Sequence, residues 1–474
     1  MAANAVRRRP RGAVKLRKKI IIKSSLPHKI ENCGGIFKGF IYFCAVKRVL
    51  IITYYWPPAG GPGVQRWVKF AKYLPLQGWQ PVIYTPSNPE MQSVDESLLG
   101  DIPDEAVIVK TPIHEIYGLY RKLTGKKASQ KEVNMVNSRK KSLKERIVMW
   151  IRGNLFIPDP RVSWVGPSVR FLKKYLKEHP VDVIVSTGPP QSMHLIARKI
   201  SKAMDLPWIA DFRDPWTKIF YFKHLSLTAW ARRKHKRLEQ AVLDDATRVV
   251  AVSPLVQEDF QKETATPVEL ITNGYDEEDF EQRVEPDGYF NITHTGQFSA
   301  DGDPVTLWKV LSEKCSKDKE FASMLRIRLA GKTDAPVIAS IRAAGLGENL
   351  VDLGYQNHEI AVREQKNATI LILPLRHEPE YKATIPGKTW EYLASGNPVL
   401  GIGQRDGAMA RIVNQTQAGV VFSWDDEASM AKYIDFCWER FKSDSFENPT
   451  KGIEQYSRRA LTKKMSALMD SIMK

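Results

Sequence analysis

The sequence predicts an α/β protein built from two Rossmann-like domains that face each other across a cleft. Three observations carry this. The chain has 474 residues, more than one hydrophobic core usually organises. Short β-branched and aromatic runs alternate with helical patterns, the signature of parallel sheets joined by crossover helices. The alternation is interrupted once, by a polar segment at 281–289 that contains Pro286 and Gly288, and then restarts. An apolar content of 43% and an aromatic content of 10% place the chain among globular proteins, not disordered ones.

Residues 47–55 (KRVLIITYY) read as a fully buried parallel strand that Trp56-Pro57-Pro58 ends. A glycine-rich loop follows, and Val64, Trp67, Val68, Ala71 and Leu74 then recur at helical spacing until Pro75 and Gly78. The next strand is expected at 80–85, which completes one βαβ unit. Further strands are expected at 181–186, 208–211 and 247–253, with helices at 191–204 and 229–243. Beyond the linker, strands are expected at 290–295, 325–330, 350–353, 369–374, 398–402 and 419–422. The last helix, 456–473, has no strand after it and must pack on a face still exposed, expected to be that of the first domain. The expected division is a basic tail at 1–46, a first domain at 47–284, a second at 285–450 and a returning helix at 451–474.

The net charge of +18 is unevenly spread. Residues 1–40 carry eleven Lys or Arg against one acid, Glu31, and residues 121–152 carry eleven more against Glu132 and Glu145. The rest is close to neutral. Two basic segments on a balanced protein point to an anionic membrane surface or a phosphate-bearing lipid. Nucleic acid is not expected as a partner, since there is no aromatic-interleaved basic strand and no zinc-finger spacing. The apolar run at 36–46 contains Lys38 and falls short of the roughly 20 residues that span a bilayer. No small-residue cleavage site follows it, so the tail is expected to be disordered or dispensable, with membrane association the second reading. Residues 142–157 (SLKERIVMWIRGNLFI) suit a surface helix in a lipid interface, or equally an ordinary core helix after a solvated loop. The four cysteines form no CxxC pair, which argues against a disulfide framework or zinc site and for a reducing cytoplasm.

Three stretches carry chemistry. Gly60-Gly61-Pro62-Gly63 lies between the first strand and its helix, where glycines let backbone N–H groups approach a phosphate. It is not the dinucleotide fingerprint, because Arg66 occupies the third glycine position, and a tight turn is the alternative. At 208–216 (WIADFRDPW) a strand runs into Arg213 and Asp214, either a local ion pair capping the next helix or a charged pair at the cleft in which Asp214 orients an acceptor hydroxyl or a sugar. The region 367–403 holds a loop with Arg376, His377, Glu378, Glu380 and Lys382, then Ile385-Pro386-Gly387 leading into a helix with Lys388 in its first turn. Lys388 and the free donors beside it form an anion site, and Glu391 one turn on suits ribose hydroxyls. A surface Lys–Glu pair is the alternative.

Taken together, the glycine-rich loop, RLEQAVLDDATRVVAVSP (237–254), LITNGYDEEDF (270–280), THTGQF (293–298), LAGK (329–332) and IPGKTWEYLASGNPVL (385–400) resemble, in order, signatures of the family 4 glycosyltransferases of the GT-B fold. The resemblance spans about residues 47–474 and extends to bacterial cell-surface polysaccharide glycosyltransferases. It implies a nucleotide-sugar donor in the cleft, bound as a substrate with no cofactor and no metal. Gly61 and Gly63 would lie near the donor diphosphate, Gly296 and Gln297 would begin the phosphate-facing loop of the second domain, and Lys332 and Lys388 would neutralise the leaving group. Glu391 would bind the ribose, and Tyr355 with Gln356 would border the base. Asp214, beside Arg213, falls next to the place where many relatives carry an active-site histidine. Two departures stand out. Relatives pair Glu391 with a glutamate eight residues earlier, where this chain has Ala383, leaving Glu378 or Glu380 as substitutes. The basic pair usual after GQF is replaced by Ser299-Ala300-Asp301-Gly302-Asp303. That segment also offers an Asp-x-Asp metal motif, but too late in the chain for the single-domain class that uses one.

The function implied is a retaining transfer to a lipid-linked or polysaccharide acceptor in cell-envelope glycan synthesis, at the cytoplasmic face and peripheral to the membrane. The rivals are a sugar-nucleotide 2-epimerase on the same fold and a non-catalytic scaffold that binds sugar nucleotide or membrane.

Overall fold

The computed structural model describes residues 46–91, 93–113, 150–443 and 450–473. The expected basic tail, most of the second basic run and residues 142–149 of the expected lipid-facing helix lie outside them.

Strands β1 (Lys47–Ile52), β2 (Trp79–Pro86), β3 (Val107–Thr111), β4 (Val183–Gly188), β5 (Trp208–Phe212), β6 (Arg248–Ala251) and β7 (Val268–Leu270) form one parallel sheet in the order β3-β2-β1-β4-β5-β6-β7. Helices α1 (Pro62–Tyr73), α2 (Val162–Glu178), α3 (Ser192–Met204), α4 (Ala229–Asp245) and α5 (Pro254–Glu263) flank it. Strands β8 (Phe290–Thr295), β9 (Leu325–Ala330), β10 (Leu350–Gly354), β11 (Ile370–Pro374), β12 (Val399–Ile402) and β13 (Gly419–Phe422) form the second sheet, also parallel, in the order β10-β9-β8-β11-β12-β13. Its helices are α6 (Val305–Lys317), α7 (Lys319–Met324), α8 (Ala335–Ala343), α9 (His358–Lys366), α10 (Lys388–Ser395), α11 (Ala408–Gln415) and α12 (Glu427–Lys442), and α13 (Arg458–Asp470) ends the chain.

Both sheets are covered on two faces, which is why Val49, Leu50, Ile51 and Ile52 of β1 are all fully buried and show no alternation. In each sheet the strand order reverses once, between β1 and β4 and between β8 and β11. Loops leave such a pair toward opposite faces and open a crevice at the carboxyl edge. The loops after these four strands carry the glycine-rich segment, Gly188-Pro189-Pro190, Gly296-Gln297 and the Arg376–Lys382 region.

The two lobes are joined by two crossings that run side by side. Tyr275 N donates to Tyr456 O at 3.2 Å and Arg458 N donates to Tyr275 O at 2.8 Å, so the outgoing linker and the returning segment form a small parallel bridge. A side chain on Gly274 would overlap the Tyr456 carbonyl. The returning α13 then lies on the first lobe as expected, with Leu461, Met465, Met469 and Ile472 in the same core cluster as Val49, Ile51, Trp67 and Phe70. An ionic web supports this junction. Lys69 meets Asp276 at 2.6 Å and Asp101 at 2.8 Å, and Tyr73 donates to Asp276 at 2.6 Å.

Two strands and two helices of the first lobe, α2 and α5, were not expected from the sequence. β3 and β7 are edge strands, short and only partly buried, and α2 carries Pro167 inside it. Strand ends elsewhere differ by a few residues; β1 stops at Ile52, not at Tyr55.

Candidate active site

On the first lobe, the carboxyl edges of β1, β4 and β5 meet around Arg213. Its backbone N donates to Gly188 O at 2.9 Å, and its guanidinium donates to Gly188 O at 3.3 Å and to Pro189 O. Gly61 caps α1 and Gly63 sits in its first turn, where a Cβ would run into the Arg213 guanidinium. A side chain there would have to displace the Arg213 guanidinium. Burial pulls Arg213 below its ordinary range and pushes the neighbouring Asp214 carboxyl up to about 6, against the pull of Arg213. The Asp214 carboxyl has no hydrogen-bond partner among the described residues, and its charge reaches Tyr381 of the second lobe. Glu239 of α4 steadies the loop beyond it, accepting from Thr217 N at 3.1 Å.

On the second lobe, the loops after β8 and β9 are zipped together. Gly296 N donates to Ala330 O at 2.8 Å, Phe298 N to Lys332 O at 2.9 Å and Asp334 N to Phe298 O at 2.9 Å. Gly331 has φ of +153° and lies so near Gly296 O that no side chain fits, so this pairing depends on glycine. Lys388, opening α10, approaches the same loop from the other side. Its Nζ donates to His294 Nε2 at 2.8 Å and to Gln297 O at 3.3 Å. The two lysines thus flank one loop, Lys332 exposed at its rim and Lys388 half-buried behind it. Burial lowers Lys388 to about 7, opposed by the charge of Glu391. Burial and then Lys388 hold His294 well below the usual histidine range. No carboxylate lies within ion-pair reach of Lys388 among the described residues. The backbone N–H groups of Gln297 and Gly387 have no acceptor there either. A buried cation with one free amide in the loop after β8 and another at the start of α10 can receive an anion with several oxygens.

Glu391, one turn beyond Lys388, accepts from Gln365 Nε2 at 2.8 Å, and Gln365 also donates to Thr295 Oγ1 at 3.0 Å. Tyr355 is 85% exposed after β10, and Gln356 Nε2 returns to Leu353 O at 2.5 Å.

The lobes touch across the mouth of the cleft. Phe220 and Tyr381 pack with ring centroids 5.0 Å apart, and Arg376 lies over both. Lys223 pairs with Glu380 at 2.8 Å, and Asp279 with His358 at 3.1 Å.

Two family models match the chain in the order of its two sheets. One, described as Glycosyltransferase Family 4, matches residues 63–279; the other, described as Glycosyl transferases group 1, matches residues 289–440. Together they cover well over half of the chain. The chain belongs to the family 4 glycosyltransferases. Its fold is that of solved GT-B structures. Sucrose-phosphate synthase from Thermosynechococcus elongatus superposes with a TM-score of 0.59 at 13% identity, covering 90% of this chain and 99% of that one. HepE from Anabaena, in complex with UDP, gives 0.57 at 14% identity, covering 90% and 100%. WaaG, a glycosyltransferase involved in lipopolysaccharide biosynthesis, gives 0.51 at 14% identity, covering 89% and 99%. No curated protein sequence matches the chain at a significant level.

In this glycosyltransferase, Ala383, at the position where the resemblance implies a first glutamate, packs against the core of the opposite lobe. Of the two substitutes, Glu380 is engaged by Lys223. Glu378 opens the short helix Pro379–Ala383 and its carboxylate has no partner among the described residues. The Asp-x-Asp segment diverges: Asp301 pairs with Arg376 at 3.3 Å, while Asp303 accepts from the Trp308 indole at 2.7 Å. Two residues of the transferase escaped sequence reasoning. His294 lies on a strand buried along its whole length, so nothing in its spacing marks it. Arg66 appeared only as a missing glycine, yet it sits in the helix beneath the glycine-rich loop as half of a buried ion pair with Asp211.

Proposed function

We propose that this glycosyltransferase moves a sugar from a nucleoside-diphosphate donor to a lipid-linked or polysaccharide acceptor, with retention of configuration and without a metal or cofactor. The observation that carries the reading is Lys388, a buried cation with no carboxylate in ion-pair reach among the described residues, set between the free amides of Gln297 and Gly387. As the anomeric C–O bond breaks, negative charge collects on the departing diphosphate. Lys388, Lys332 and the amides of Gln297 and Gly387 receive it, and the helix terminus at Lys388 adds positive potential. Gly61, Gly63 and Gly296 let backbone approach the phosphates, Glu391 takes the ribose, and Tyr355 with Gln356 borders the base. Glu378 takes the part of the absent glutamate toward the sugar. Asp214, with a carboxyl near neutrality and Arg213 beside it, orients the acceptor hydroxyl from the first lobe. Residues 47–284 then present the acceptor and 285–450 the donor.

A screen of UDP- and GDP-sugars tests this. Release of the free nucleoside diphosphate together with sugar transfer, unaffected by chelator, is the expected result. Interconversion of the donor without an acceptor would make the protein an epimerase, and binding without turnover a scaffold. Activity lost in chelator and restored by manganese would return the metal reading.

Attachment to anionic lipid at the cytoplasmic face is part of the same proposal. No helix among the described residues is long and apolar enough to cross a membrane. Trp150, Ile151, Leu155 and Trp230 are nonetheless exposed, Trp230 at 60%. Asn154 joins their two segments, accepting from Thr228 N at 2.7 Å at the start of α4, whose exposed side carries Arg232, Arg233, Lys236 and Arg237. Aromatic and aliphatic side chains ringed by cations suit a phospholipid interface. Sedimentation with vesicles containing phosphatidylglycerol should exceed that with neutral vesicles and fall on Trp230→Ala with Arg233→Glu; equal sedimentation with both lipids would refute the attachment.

A further inference from the structure

Phe290, Ile292 and His294 share one face of β8. Phe290 and Ile292 belong to the apolar core of the second lobe together with Phe298, whose ring stacks on His294 with centroids 4.1 Å apart. His294 is 2% exposed, and its Nδ1 has no hydrogen-bond partner among the described residues. An apolar ring would pack here without leaving a buried polar atom unsatisfied, which is costly. Packing therefore does not account for an imidazole at this position. The other ring nitrogen does.

That nitrogen, Nε2, lies 2.8 Å from Lys388 Nζ. Nζ also donates to Gln297 O at 3.3 Å and stands over Gly296, 3.6 Å from where a Cβ would sit. An ammonium has three N–H groups and no lone pair, so while Lys388 is charged Nε2 must accept and the ring proton sits on Nδ1. Two of the three N–H groups are then fixed, by a ring on β8 and by a carbonyl of the loop after it. The third has no acceptor among the described residues. Neither partner is charged, so these bonds hold the cation without neutralising it. Arg328 of β9 shows the alternative, since Glu364 holds it at 2.6 and 2.9 Å and cancels its charge.

We propose that His294 is a positioning residue of the donor site: as a neutral acceptor it pins the Lys388 ammonium over the loop after β8 and reserves its third N–H for the arriving diphosphate. The inference rests on the donor reading given above. It divides the work at the leaving group between a side chain that carries the charge and one that aims it. A carboxylate at 294 would bind Lys388 more tightly but neutralise it. A glutamine amide, whose oxygen reaches the place of Nε2, would keep the arrangement.

Calorimetric titration of the full chain with UDP, GDP and pyrophosphate tests it, using wild type, His294→Gln, His294→Leu and His294→Glu. The wild type is expected to bind pyrophosphate and one of the two nucleotides. His294→Leu should weaken both on the order of tenfold, the loss of one oriented hydrogen bond. His294→Gln should stay within about threefold of the wild type. His294→Glu should lose on the order of a hundredfold, because its carboxylate takes the ammonium. A nitrogen-15 spectrum of the imidazoles reads the arrangement in the wild type directly. The His294 signal, identified by its loss in either neutral variant, should show Nδ1 protonated and Nε2 bare. A proton on Nε2, or wild-type affinity in His294→Leu, would overturn this inference alone. So would a His294→Gln no better than His294→Leu, with both losses following a lower melting temperature, since that marks a merely structural residue. A wild type that binds none of the three ligands would overturn the donor reading and this inference with it.

Discussion

Replacing Lys388 with alanine should lower kcat/KM by about two to three orders of magnitude, the usual cost of removing one preorganised donor to a developing charge. The chain should remain folded, because Lys388 is not part of a core cluster and gives up only its bonds to His294 and Gln297. Proton linkage gives a sharper test. Burial lowers Lys388 to about 7 in the free protein, and an arriving diphosphate returns it toward its ordinary range. The cationic form predominates below pH 7 and is lost as the pH rises through 7, so donor affinity should fall between pH 6 and 8. Over the same interval donor binding should take up protons, visible as a dependence of the calorimetric enthalpy on buffer ionisation. Lys388→Arg, charged throughout, should abolish the uptake and flatten the profile. No proton uptake in the wild type, together with an active Lys388→Ala, would place the leaving-group charge elsewhere.

The largest expected effect on stability lies beneath the glycine-rich loop. Arg66 and Asp211 are both fully buried and bonded twice, at 2.7 and 3.1 Å. Arg66 also donates to Ile271 O at 2.9 Å and Thr272 O at 2.7 Å, and Asp211 accepts from Trp67 Nε1 at 2.7 Å and Thr187 Oγ1 at 2.9 Å. One cluster therefore ties α1, β4, β5 and the segment after β7 together. Arg66→Met leaves a carboxylate with no counter-charge in the core, and such a rupture costs about 3–5 kcal/mol. The melting temperature should fall on the order of 10 °C. Arg66→Met with Asp211→Leu should recover part of the loss by removing the orphaned charge, but not all, since two backbone carbonyls and an indole N–H stay unpaired. Melting curves of the two variants decide it; a double variant less stable than the single one would contradict the account.

Much of this was legible in the chain itself. Fully apolar runs such as VLII and ILILP announce parallel strands, and Gly61, Gly296 and Lys332 stand in the loops that follow strands, where backbone geometry restricts the choice of residue. What escaped notice has a physical reason in each case. β3 and β7 are edge strands with one neighbour each, so fewer of their positions must be apolar. His294 and Arg66 owe their roles to partners 94 and 145 residues away. A charge inside each of two buried elements, Arg66 in α1 and Asp211 in β5, was the available hint, because such charges persist only when paired. Ala383 could be seen as a departure, but its packing on the opposite lobe belongs to the folded chain.

The returning helix has a consequence for biosynthesis. Leu461, Met465, Met469 and Ile472 cover the same side of the first sheet as α1, so that face is sealed only long after β1 and α1 have been translated. At ordinary elongation rates the nascent lobe waits roughly half a minute with apolar surface bare. A ribosome that stalls or stops before α13 would release a product whose first sheet lacks its lid, a natural client for chaperones and proteases.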